Sequence, residues 1–104
     1  MTRSFDVVVY GATGFTGGLV AEYLDQHGPQ DLRWALAGRN KDKLAKVAAK
    51  LNRSVDLIEA RSDDAASLEA MAAQTKVVLT TVGPYARYGE PLVAACVAQG
   101  AHYA

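Results

Sequence analysis

Residues 5–18 read FDVVVYGATGFTGG, and no other stretch constrains the fold so tightly. An apolar run stops abruptly at three glycines spaced G-x-x-G-x-x-G, and a helical pattern follows at once. Strand, tight turn and helix in that order form a phosphate-holding unit. The first amides of a helix have no intrahelical partner, and the helix dipole adds partial positive charge there. Gly11 is expected to permit the turn, Gly14 to let backbone approach a pyrophosphate, and Gly17 to let helix sit close to strand. Glycine triplets alone are weak signals; this one arrives with its strand and its helix, and so predicts a dinucleotide site.

The rest of the chain alternates strand-like and helix-like segments, the pattern of a parallel sheet covered on both faces. The strands expected are Phe5–Tyr10, Trp34–Ala37, Val55–Ile58, Val77–Thr81 and a fifth opening at Ala101. The first helix is expected over Phe15–His27, with Phe15, Leu19 and Tyr23 beside Val20 and Leu24 as its apolar stripe, and Gly28-Pro29 as its stop. Asn40 is placed to cap a second helix whose Leu44, Val47, Ala48 and Leu51 recur at helical spacing, and Asp63 or Asp64 to cap a third. A fourth helix is expected from near Glu90 to Gly100. Right-handed crossovers then give an α/β, Rossmann-type, doubly wound sheet of three αβα layers in strand order 3-2-1-4-5.

Composition excludes more than it selects. Eleven basic and eleven acidic residues leave a formal net charge of zero, so nothing points to nucleic acid or an anionic membrane surface. No apolar run approaches the roughly 20 residues that span a bilayer, and Thr2-Arg3-Ser4 leads into a strand rather than a signal peptide. The single cysteine, Cys96, excludes an internal disulfide and falls on a helix stripe, which fits a reducing, cytoplasmic setting. With 104 residues the chain is one domain, and only four residues follow Gly100 where a fifth strand should run. The expectation is a piece of a longer enzyme.

Dinucleotides bind beyond the carboxyl ends of the strands, where strand order reverses. Thr13 and Thr16 can offer hydroxyls to a diphosphate. Phe15 either shields the phosphates or joins the helix to the core. The loop after the second strand reads Gly38-Arg39-Asn40-Lys41-Asp42-Lys43 and lacks the acid that would bind a ribose 2′-hydroxyl. Arg39 carries a planar fork suited to phosphate, with Asn40 and Lys43 beside it, so NADP(H) is expected over NAD(H). The alternative for Arg39 is a solvated helix start. Arg39 lies 28 residues after Gly11, beyond the usual spacing of about 20; the Pro29-Gln30-Asp31 connection can absorb the excess. Arg61 to Asp63 should lie near the adenine edge. Val82, Gly83 and Tyr85 fall where the nicotinamide ribose should pass, with Arg87 and Tyr88 as further candidates or simply surface groups.

Other chemistries find little support. There is no G-x-x-x-x-G-K-[ST], and no Tyr-x-x-x-Lys pair: four residues beyond Tyr85 stands Gly89, and beyond Tyr88 stands Leu92. His27 and His102 stand apart from any partner with ligand spacing, and no metal site is expected.

The segments YGATGFTG, AGRN with Lys43-Leu44, and TVGPYARYG together resemble the saccharopine dehydrogenase-like oxidoreductases, and within them the branch of trans-acting enoyl reductases of lipid synthesis. The terminal GAHYA is similar too, so the resemblance covers essentially the whole chain. It implies an NADP-binding Rossmann domain followed by a larger α+β domain for substrate and dimer contacts. It carries over Gly11, Thr13, Gly14, Phe15, Thr16, Arg39, Gly83 and Tyr85. The full enzyme would transfer hydride to an unsaturated or imine-like carbon of a small or lipid-like substrate; the resemblance carries over no substrate residues to this segment and leaves the catalytic residues unassigned. The alternative is a non-enzymatic NADP-sensing module like the atypical short-chain dehydrogenase regulators, which also carry G-A-T-G-x-x-G without the Tyr-Lys pair.

Overall fold

A computed structural model describes residues 4–12, 14–61, 64–80 and 95–103. The elements run β1 (Phe5–Tyr10), α1 (Phe15–His27), β2 (Trp34–Gly38), α2 (Lys41–Ala49), β3 (Asp56–Glu59), α3 (Ala65–Ala73), β4 (Thr75–Thr80) and β5 (His102–Tyr103). Residues 95–99 are helical as well; the expected start of that helix near Glu90 lies outside the described residues.

All five strands are parallel, in the order β3-β2-β1-β4-β5. This is the order that the right-handed crossover rule predicts. The central strand β1 lies with Tyr10 opposite Ala37 of β2 on one side and Thr80 of β4 on the other. The Val-Val-Val run suits that position because both faces of β1 are covered. Val9 packs with Ala21, Leu36 and Leu44 under α1 and α2, while Val8 and Tyr10 pack with Leu68, Met71 and Cys96 under α3 and residues 95–99. The period of two thus feeds two cores, and the three-layer αβα arrangement follows.

The first helix corrects one expectation. Its bounds are as read from the sequence, but the Leu19–Tyr23 side of the stripe faces solvent, at 51% and 65% exposure. The helix instead buries Gly17 and Ala21, with Val20 and Leu24 half-buried. Small side chains win here because they allow the close approach that the glycine loop demands. A Cβ on Gly17 would overlap the Gly11 carbonyl oxygen and stand 2.8 Å from Ala12 Cα. Backbone, not a movable side chain, is what it would strike.

The bottom of the α1–α2 pair is held by Asp25, a buried acid on α1. Its carboxylate accepts from the Asn52 amide (2.9 Å) and the Arg53 amide (2.9 Å), in the loop that follows α2. These amide bonds, Asn52 first, hold the Asp25 carboxyl below the usual carboxylate range. Periodicity gives no hint of this clasp; an acid beside an apolar stripe is the only cue.

Candidate dinucleotide site

The glycine loop is built onto the end of β2. The Gly11 amide donates to the Ala37 carbonyl at 2.9 Å, and the Ala12 amide to the same oxygen at 3.4 Å. Gly11 takes a φ of 91°, a left-handed conformation that a side chain would strain. The Gly14 amide then donates back to Gly11 (3.0 Å), and the Gly18 amide makes the first helical bond to Gly14 (2.9 Å). Three amides, at positions 15, 16 and 17, therefore open the helix.

Among the described residues no side chain caps this helix start. The N-cap is Gly14, in extended conformation with no side-chain cap, and the first turn contains no acid. Gly14 is exposed. Among the described residues a Cβ there would meet only the Gly11 carbonyl, at an ordinary 3.5 Å. Uncapped amides, a positive dipole end and an absent Cβ together fit a diphosphate.

At the end of β2 the groups expected to select the ribose phosphate come together. Arg39 and Lys43 are exposed, on either side of the start of α2. Leu44, fully buried, pins that start to the strand: it lies 3.5 Å from where a Gly38 Cβ would stand. Asn40 has a structural task as well, since its Oδ1 accepts from the Lys43 amide at 3.1 Å and caps α2. Its side-chain NH2 is the part left to offer a ligand. Of the other expected contacts, Phe15 and Thr16 sit in the first turn of α1. Thr13, Asp63, Val82, Gly83 and Tyr85 lie outside the described residues, as do Arg87 and Tyr88. Asp64, not Asp63, is the N-cap of α3, accepting from the Ser67 amide.

The geometry also removes competitors. His102 pairs with Val77, three residues back from Thr80 at the carboxyl end of β4, so it lies about 10 Å from the loop edge. His27 sits in the last turn of α1, its ring 4.7 Å from that of Tyr23. Cys96 is buried and its burial pushes the thiol pKa up, away from a reactive thiolate. Among the described residues no three His, Cys, Asp or Glu are grouped to hold a metal, and no helix is long and apolar enough to cross a membrane. A groove of about 240 Å³, which nothing in the sequence announced, opens beside Ala12 and Gly14 and runs between α1 and α2 toward Glu22 and Lys50.

Comparison with known proteins agrees with this construction. Residues 7–104 match the family model described as the saccharopine dehydrogenase NADP binding domain. The trans-acting enoyl reductase of Mycobacterium tuberculosis (strain ATCC 25618 / H37Rv) is 52% identical over 105 residues, and that of Mycobacterium leprae 51%. Each alignment covers 98% of this chain and 25% of the relative, so the chain spans a quarter of their length. Among solved structures, apo saccharopine dehydrogenase (L-Glu forming) from Saccharomyces cerevisiae superimposes with a TM-score of 0.80 at 17% identity, over 95% of this chain and 21% of that one. The NADPH complex of the quinone oxidoreductase QOR2 from Escherichia coli gives 0.74 at 25% identity, over 91% and 34%. A glycine loop at the start of α1, on a sheet of this order, with a family match along nearly the whole length, places the chain in the saccharopine dehydrogenase NADP-binding domain family.

Proposed function

We propose that this chain is the cofactor-holding domain of an NADPH-dependent oxidoreductase. The observation that carries the reading is the amino end of α1, without a side-chain cap at Gly14 and tied through Ala37 to the strand that Arg39 follows. The amides at positions 15–17 bind the diphosphate. The Arg39 fork, with Lys43 and the Asn40 amide group beside it, takes the adenosine 2′-phosphate and favours NADP(H) over NAD(H). Nicotinamide supplies a hydride when the cofactor is bound. Residues 81–88, which follow β4 in the sequence, include the expected nicotinamide-side contacts Val82, Gly83 and Tyr85.

The hydride acceptor is an unsaturated or imine-like carbon on a small or lipid-like substrate held by a second domain, which also offers dimer contacts. The family membership and the quarter-length match to enoyl reductases support that reading. The chain by itself binds cofactor without turnover. A reducing, cytoplasmic setting suits its buried single thiol.

Thermal melts of the chain with NADPH, with NADH and with buffer test the proposal. NADPH at 100 times its dissociation constant should add about 2.7 kcal/mol, and NADH at the same concentration much less. No shift with either overturns the reading. The regulatory-module alternative predicts the same binding but no turnover in the longer protein.

A further inference from the structure

The chain is neutral overall, but its charges are unevenly spread. Residues 39–53 hold six of the eleven basic residues and one of the eleven acids, Asp42, whereas residues 54–69 hold five acids and one basic residue. Helix α2 and its flanks are therefore a cationic segment, beside an acidic one that contains β3 and α3.

On α2 the cations form a row. Val47, Lys50 and Leu51 line the groove between α1 and α2 that opens beside Ala12 and Gly14. At about 100° per residue, Lys43 falls on that same flank and Lys46 on its outer edge. Arg39 precedes the row, and Lys50 lies about 10 Å below Lys43 along the helix axis. All four cations are exposed. Among the described residues no ion pair engages any of them. The acids that face the row are Glu22, across the groove, and Asp42, in the first turn of α2; Glu59 lies on the β3 flank, opposite Gly38.

We propose that Lys46 and Lys50 form a capture surface for the cofactor, raising its rate of arrival without touching it once bound. The inference rests on reading the chain as an NADP-holding domain and adds two residues that act on association. A diphosphate joined to a 2′-phosphomonoester is a strongly charged ligand, and the phosphomonoester alone adds about two negative charges near pH 7. Exposed cations off the contact surface add little to a bound anion, but they extend the attractive field around the mouth of a site. The fields of Lys46 and Lys50 join those of Arg39 and Lys43. An anion met anywhere along α2 is thereby held beside the groove that leads to Gly14.

Stopped-flow binding of NADPH and NADH to the chain at low and high salt tests it. Lys46→Gln combined with Lys50→Gln should slow NADPH association about fivefold at roughly 10 mM salt, where the Debye length is about 30 Å. The deficit should shrink to less than about twofold at roughly 0.5 M salt, and dissociation should stay within about twofold at both. NADH, which lacks the 2′-phosphate, should be slowed less. Lys46→Arg combined with Lys50→Arg keeps both charges and should associate as the unsubstituted chain does. Unchanged NADPH association at low salt would overturn the proposal while leaving the domain reading intact. A loss carried by faster dissociation, or one as large at high salt as at low, would make the lysines direct contacts and overturn it as well. An unsubstituted chain that binds neither dinucleotide would overturn both.

Discussion

Three helix starts among the described residues lie at or near the carboxyl edge of this sheet, and one differs from the other two. Asn40 caps α2 and Asp64 caps α3, each by accepting an amide three residues on. Helix α1 begins at Gly14, which has no side chain to offer. Capping a helix from within is worth about 1 kcal/mol. A chain that omits the cap at one helix, and also removes the Cβ that would roof the same amides, leaves those amides to a ligand. The contrast is informative because all three termini share one scaffold: they differ in a single side chain, not in fold. The capped ends of α2 and α3 are satisfied by their own side chains, and the start of α1 is the end where the proposed diphosphate site lies.

The largest effect expected comes from Gly17, which holds the open end against the strand. Gly17→Val puts a branched side chain into the Gly11 carbonyl and the Ala12 backbone. It should destabilise the domain by about 3 kcal/mol, measured as a fall in the urea midpoint without ligand. A stability within about 0.5 kcal/mol of the parent would mean that the close approach is not structural. Gly14 tests the opposite property. Gly14→Asp gives α1 the cap that α3 has and places a negative charge where the diphosphate should lie. Apo stability should hold or rise by a few tenths of a kcal/mol, while NADPH binding falls at least 100-fold, about 2.7 kcal/mol. If Gly14→Asp binds NADPH as tightly as the parent, the uncapped end is not the anion site.

How much of this was legible beforehand follows from what each feature depends on. Helix bounds at Phe15–His27, the cap at Asn40 and the strand order are local or follow from chirality, so residue type and spacing carry them, whereas the choice of Asp64 over Asp63 as the cap of α3 came only with the structure. Strand β3 runs one residue later than read, Asp56–Glu59, because pairing with Ala35–Gly38 rather than hydropathy sets its ends. The buried side of α1 was misread for a related reason. Leu19 and Tyr23 are the larger side chains, but the distance to the Gly11 turn admits only Gly17 and Ala21. That Arg39 follows the end of β2 was visible from the strand pattern, and the cap that Asn40 Oδ1 makes by accepting from the Lys43 amide was legible in its residue type. The nicotinamide-side expectations, Val82, Gly83 and Tyr85, fall outside the described residues.

The two ends of α1 can be separated by pH. Its amino end carries no titrating group of its own, while its carboxyl half is clasped through Asp25. Asp25 has its pKa lowered on folding, by the Asn52 amide first. A depressed carboxyl contributes stability that is present above its unfolded value, near 3.9, and is lost as pH falls through the folded value. Asp6, lowered by its bond from the Arg33 amide, has the same sign. Asp25→Asn should therefore be less stable than the parent at pH 7, and the gap should close in acid melts below about pH 4. A gap that is constant with pH would mean that the carboxylate charge contributes nothing to the clasp.

The smallest effect expected separates capping from ligand contact at Asn40. Serine caps a helix about as well as asparagine but has no amide group to donate. Asn40→Ser should leave stability within about 0.5 kcal/mol of the parent, because the bond to the Lys43 amide can be remade by the hydroxyl. NADPH affinity should fall by about two- to threefold, the effect of one exposed, neutral hydrogen bond, and NADH affinity should not change. An identical affinity for NADPH would confine Asn40 to its cap and make α2 like α3, a helix start used up by its own chain. A loss shared equally by NADH would move the contact from the phosphate to the adenine or ribose. Either result sharpens the division between helix ends that shape the site and the one that forms it.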